Sequence, residues 1–121
     1  MCGIIGINWK DEESVRYALG LFKYRGPDAS GVFCDEEITL GHNRLSIIDV
    51  DARANQPMWD EAGEIAIVFN GEIYNFKELQ KELSGKYHFR TESDTEALLC
   101  ISRIWGGPGK LSSRHVCVCN L

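Results

Sequence analysis

The residue with the most chemistry to offer stands second in the chain. Once Met1 is removed, as a small second residue usually permits, Cys2 carries a thiol of ordinary pKa about 8.5 beside a free α-amine of about 7.7 to 8.0. Nucleophile and base then arrive on one residue, two carbons apart, and the amine can take the thiol proton directly or through one water. Position alone favours a plainer reading, a small apolar residue opening a buried strand. Acyl transfer also needs donors aimed at a developing oxyanion. Asn70-Gly71 can supply two, a side-chain amide and a main-chain N–H, where an apolar run ends and glycine allows close approach. Asn-Gly is equally the commonest tight-turn dipeptide, but Glu72-Ile73-Tyr74-Asn75 leads on into a helical pattern, not a returning strand.

An amino-acid substrate needs its carboxylate and its ammonium held. Arg44, at the end of an apolar strand in His42-Asn43-Arg44-Leu45-Ser46-Ile47-Ile48-Asp49, offers a fork for a carboxylate, and Asp94, in the first turn of a helix, can pair with an ammonium. Each also has a structural reading. An arginine near aspartates forms ion pairs, and an acid after an N-cap serine suits the helix dipole. No metal site is expected. Cys34, Cys100, Cys117, Cys119, His42 and His115 lack the paired spacing of a zinc centre. His42 and His88 read as satisfied strand residues.

The 121 residues carry 13 basic and 18 acidic side chains, a net charge of −5, with 44% hydrophobic and 26% charged residues. Those values suit one soluble globular domain. No cluster of lysine and arginine predicts a nucleic-acid partner, and no apolar run or charged leader predicts a membrane span or a signal peptide. A cytoplasmic location is expected, and the odd count of five cysteines reads as free thiols. The tail differs: residues 106–121 hold Lys110, Arg114 and no acid, leaving −7 for residues 1–105.

These side chains need elements to hold them. Cys2 to Asn8 reads as a strand, followed by a helix capped by Asp11 with an apolar stripe of Val15, Ala18, Leu19 and Phe22. Arg25-Gly26-Pro27-Asp28 is turn chemistry before a strand pair, Gly31 to Cys34 and Ile38 to Leu45. Asp49 to Gly63 reads as a polar loop. Glu64 to Phe69 reads as a strand covered on both faces. Asn75 with Glu78, and Ser93 with Glu96, predict capping boxes for helices with stripes of Phe76, Leu79, Leu83 and of Leu98, Ile101, Trp105. A short strand, Tyr87 to Arg90, is expected between them.

Met1-Cys2-Gly3-Ile4-Ile5-Gly6, Arg25-Gly26-Pro27-Asp28, His42 to Asp49, Gln56-Pro57-Met58, Phe69-Asn70-Gly71-Glu72-Ile73-Tyr74-Asn75 and Ser93-Asp94-Thr95-Glu96 follow one another in that order. The set resembles the glutaminase domain of class II glutamine amidotransferases, most closely that of glutamine-hydrolysing asparagine synthetases. The resemblance implies an α+β fold of the N-terminal-nucleophile hydrolase type, with stacked antiparallel sheets flanked by helices (αββα), here incomplete. It implies hydrolysis of the L-glutamine side-chain amide through a Cys2 thioester, giving glutamate and ammonia for asparagine synthesis. Cys2 would be the nucleophile, its α-amine the base, and Asn70 with the Gly71 amide the oxyanion hole. Arg44 would hold the α-carboxylate and Asp94 the α-ammonium, with the main chain of Leu45, Ser46, Ile47 and Ile48 and the surroundings of Glu72 completing the pocket. Arg25 to Asp28 would shape the loop beside the nucleophile.

The resemblance implies no cofactor for this half-reaction, since ATP and magnesium belong to a synthetase domain of which the sequence shows nothing. The domain reading is a partial glutaminase domain at 1–105 and a divergent, irregular tail at 106–121, as in a truncated or frame-shifted product. The family's next strands, of Gly-Met-Phe-Ala-Phe type, are absent from the tail. Exposed edges, with Glu64 to Phe69 foremost, and self-association are expected, and a separate synthetase chain is a possible partner. The alternative function is a non-catalytic fragment of such an enzyme.

Overall fold

A computed structural model of the chain describes the backbone of residues 1–105 and 115–120 and the side chains of residues 1–105. Strand β1 (Gly3–Ile7), helix α1 (Glu12–Leu21), β2 (Ala29–Cys34) and β3 (Thr39–Arg44) come first, then β4 (Met58–Trp59), β5 (Ile65–Asn70), α2 (Phe76–Leu83), α3 (Asp94–Trp105) and β6 (His115–Asn120). They form two three-stranded sheets, ordered β1-β3-β2 and β4-β5-β6. The first is antiparallel throughout, with Gly3 opposite Asn43 and Ala29 opposite Arg44.

Helix α1 starts where Asp11 accepts the Ser14 N–H at 2.9 Å, and it lays Val15 and Leu19 against the first sheet. Gly41 permits that contact, since a Cβ there would lie 2.6 Å from Val15 Cγ1. The other face of this sheet meets the second one through contacts of β1 and β3 with β5. Phe33 on β2 and Trp59 on β4 also join the sheets, edge to face with centroids 4.9 Å apart. Beyond the second sheet, Leu99 of α3 closes a core with Ala54, Met58, Ile65, Ile67 and Phe69. Each of the larger side chains, Ala54 excepted, contributes about 1.5–3 kcal/mol when fully buried. The α+β expectation therefore holds, with sheets in contact and helices outside.

Six local expectations are corrected. Residues 87–90 form no strand. Glu96 instead turns inward and accepts the N–H groups of Arg90 and Thr91, so this stretch bonds to a helix side chain and not to a sheet. Asn75 makes no side-chain cap on α2, whereas Ser93 Oγ accepts the Glu96 N–H at 3.2 Å as half of a capping box. The buried face of α3 carries Thr95, Glu96, Leu99 and Cys100, and Trp105 is exposed. That rotation follows from Glu96 burying its carboxylate. The irregular tail is also corrected where it is described: His115–Asn120 is a strand, paired in parallel to β5 from Ile65↔His115 to Asn70↔Asn120. With β4 on its other edge, β5 is covered and not the exposed liability expected, and the antiparallel expectation fails at this pair. The remaining tail residues lie outside the described ones. Among the described residues no helix is long and apolar enough to cross a membrane.

Candidate active site

The register of the first sheet decides where Cys2 goes. With Gly3 opposite Asn43, the chain start is held beside the end of β3, and Cys2 Sγ accepts the Leu45 N–H at 3.3 Å. Arg25 Nε donates to the Cys2 carbonyl at 3.2 Å, and Asp28 Oδ2 accepts the Ser46 N–H at 2.7 Å. The turn Arg25 to Asp28 thus grips both the Cys2 main chain and the loop facing it. Met1 is exposed, and while it remains attached the Cys2 nitrogen is a peptide nitrogen with no lone pair for a proton.

A cavity of about 490 Å³ opens between these chain segments and the C-terminal end of β5. It is bordered by Cys2, Arg44, Leu45, Ile47, Ile48, Asn70, Gly71, Glu72 and Asp94, all the expected site residues except Ser46. Ser46 points its N–H at Asp28 instead. Asn70 closes β5 and Asp94 opens α3, so the ends of two elements deliver the amide and the carboxylate to one hollow.

Arg44 arrives at the cavity already engaged. Nη1 donates to Asp51 O at 2.9 Å and Asn55 Oδ1 at 2.7 Å, and Nη2 donates to Ile48 O at 3.2 Å and to Asp49 O. The side chain therefore organises the loop that forms one wall, and Asp49 takes a positive φ of 47° there. Asp94 Oδ2 accepts the Ile73 N–H at 3.2 Å. Burial pushes the Asp94 carboxyl above its usual range, the N–H groups of Ile73 and Thr95 oppose this, and the Glu72 charge adds to it. An arriving ammonium would relieve that cost, which makes the position receptive to a cation.

Two polar residues had no role in the sequence reading. Gln56, buried and bordering the cavity, spans from the Phe69 N–H to Thr95. Its signal was Gln56-Pro57-Met58 in an otherwise polar loop. His42 was expected to be a satisfied strand residue; it is fully buried, and neither ring nitrogen finds a hydrogen-bond partner among the described residues. Burial holds its pKa down at about 4, against the Phe69 main chain, while the Arg44 charge lowers it further. His88 is exposed and lies outside any strand. Among the described residues no group of three His, Cys, Asp or Glu side chains is placed to hold a metal ion.

The His42 shift fixes the sign of a pH dependence. Unfolded, the imidazole takes a proton below about pH 6.5; folded, it refuses one until about pH 4. Stability present at neutral pH is therefore lost as pH falls between those values, by at most ~3 kcal/mol. Urea unfolding at pH 7 and pH 4.5 should show a smaller drop for His42→Gln than for the native chain; equal drops would refute this account.

The family model described as the glutamine amidotransferase domain matches residues 1–114. Asparagine synthetase [glutamine-hydrolyzing] 1 of Bacillus subtilis is 44% identical over 112 residues, which cover 85% of this chain and 18% of that protein. Asparagine synthetase B [glutamine-hydrolyzing] of Escherichia coli is 38% identical over 107 residues, 84% of this chain and 19% of its own length. Amidase chry2 of Gibberella zeae is 38% identical over 96 residues, covering 78% and 14%. The chain thus spans less than a fifth of each of these curated relatives.

Proposed function

The chain belongs to the glutamine amidotransferase domain family, of asparagine synthetase type, and on that premise we propose that it hydrolyses the side-chain amide of L-glutamine at Cys2 to supply ammonia for asparagine synthesis. The observation that carries the reading is the meeting of Cys2, Asn70-Gly71, Arg44 and Asp94 on one cavity of about 490 Å³, within the range of small-molecule sites.

With Met1 removed, the Cys2 α-amine takes the thiol proton and Sγ attacks the amide carbon of glutamine. The carbonyl oxygen becomes an oxyanion, held by the Asn70 amide and the Gly71 N–H. Collapse breaks the carbon–nitrogen bond, the Cys2 ammonium gives its proton to the leaving nitrogen, and ammonia departs from a glutamyl thioester. The same amine then takes a proton from water. Hydroxide adds to the thioester carbon, the carbon–sulfur bond breaks, and glutamate leaves with the thiol restored. Asp94 receives the α-ammonium. Arg44 receives the α-carboxylate by exchanging one pair of loop acceptors for its two oxygens. The half-reaction calls for no cofactor, and the ammonia acceptor belongs to a synthetase domain or partner chain.

The test is twofold. The purified chain should lack Met1 by intact mass, and it should release one glutamate per ammonia when given glutamine. A processed, folded chain that releases none overturns the reading and leaves the non-catalytic alternative.

A further inference from the structure

We infer that Gln56 is a positioning residue for this reaction, setting the oxyanion side and the amine side of the pocket relative to each other through one side chain; the inference rests on the glutaminase reading. Strand β4 pairs with β5 only at Met58↔Ile67 and Trp59↔Ala66. Continuing that antiparallel register puts residue 56 opposite Phe69, beyond the end of β4. Main-chain pairing has stopped there. The Gln56 side chain supplies the missing acceptor, its Oε1 taking the Phe69 N–H at 2.5 Å. Its Nε2 donates to Thr95 Oγ1 at 3.1 Å.

Both partners adjoin site residues. Phe69 precedes Asn70, and Thr95 follows Asp94. One side chain, of a residue only 8% exposed, therefore ties the strand end carrying the oxyanion donor to the helix start carrying the ammonium acceptor. The anchor itself is fixed, since the Gln56 carbonyl packs onto β2 so closely that a Cβ at Gly31 would lie 2.0 Å from it. The spacing between the proposed oxyanion donors and the proposed ammonium acceptor is thus one that this bridge helps to set. A Gln side chain satisfies both ends because its amide donates and accepts at once.

The test uses the full chain, with kcat and KM expressed per reactive Cys2 thiol, counted by covalent labelling with a diazoketone analogue of glutamine. Gln56→Met keeps the shape and removes both hydrogen bonds. It should lower kcat/KM about a hundredfold, the scale of a misplacement of about 1 Å, with kcat and KM both affected. Thr95→Val cuts only the amine side and should raise KM about tenfold with kcat little changed, and Thr95→Ser should restore KM. A role in folding alone would reduce the number of reactive thiols and leave the constants of the remainder untouched. If the native chain is active and Gln56→Met stays within twofold in both constants, the inference is overturned. Should Gln56→Met fail to fold, an unchanged KM in Thr95→Val overturns it instead. A native chain without Cys2-dependent glutamate release overturns the glutaminase reading, and this inference with it.

Discussion

Cys2→Ala should abolish glutamate release, with a loss of kcat on the order of 10⁴ to 10⁶-fold, the scale seen when a covalent nucleophile is removed from a hydrolase. The size of the loss reflects a change of pathway. Without sulfur no acyl-enzyme forms, and the oxyanion donors and the binding groups can assist only direct attack by water. The structural effect should be small, because Cys2 is half-buried and its side chain contributes only two sulfur hydrogen bonds, accepting the Leu45 N–H at 3.3 Å and donating to the Leu45 carbonyl at 3.8 Å. Cys2→Ser separates the two effects further. A hydroxyl can still accept the Leu45 N–H, yet it is a far poorer nucleophile at neutral pH. Both variants should therefore melt within a few degrees of the native chain while releasing glutamate orders of magnitude more slowly. Quench-flow with radiolabelled glutamine should trap a thioester only in the native chain. Appreciable turnover by Cys2→Ala would remove Cys2 from the mechanism.

How far the sequence could disclose this site differs from residue to residue. Cys2, Asn70, Gly71 and Asp94 were legible because each sits at or next to the end of an element whose period is plain in the sequence, whereas Glu72 came only with the family resemblance. The Arg44 position was legible, but its engagement by four acceptors of the following loop was not, because three of them are main-chain carbonyls, which leave no mark in residue types. Gln56 was hidden for a related reason. Its role depends on where β4 stops, and a strand of two residues has no readable period. Glu96 misled the reading of residues 87–90: a buried carboxylate that takes three backbone or hydroxyl donors from Arg90 and Thr91 competes with strand pairing, and nothing in Tyr87-His88-Phe89-Arg90 signals it. Strand β6 was missed because parallel pairing at the edge of β5 is a long-range event, and His115–Asn120 does not alternate polar and apolar residues in a way that announces a strand.

Asn70→Ala should lower kcat by about 10² to 10³-fold, or ~2.7–4 kcal/mol of transition-state stabilisation, while KM for glutamine changes little. The asymmetry follows from where charge develops. In the ground state the glutamine amide oxygen is neutral and needs only an ordinary hydrogen bond, but in the tetrahedral intermediate it carries nearly a full charge. A donor held at the end of a buried strand, between Phe69, whose N–H Gln56 accepts, and Gly71, costs little reorganisation when that charge appears. Asn70→Asp is the stricter probe, since it keeps the size and replaces a donor by an acceptor bearing negative charge. It should fall at least as low as Asn70→Ala and recover partly as pH drops and the carboxyl gains a proton it can donate, to the extent that the Cys2 base is still available. A loss expressed in KM alone, or an Asn70→Asp variant as active as the native chain, would assign Asn70 to ground-state binding and leave the Gly71 N–H as the principal donor to the oxyanion.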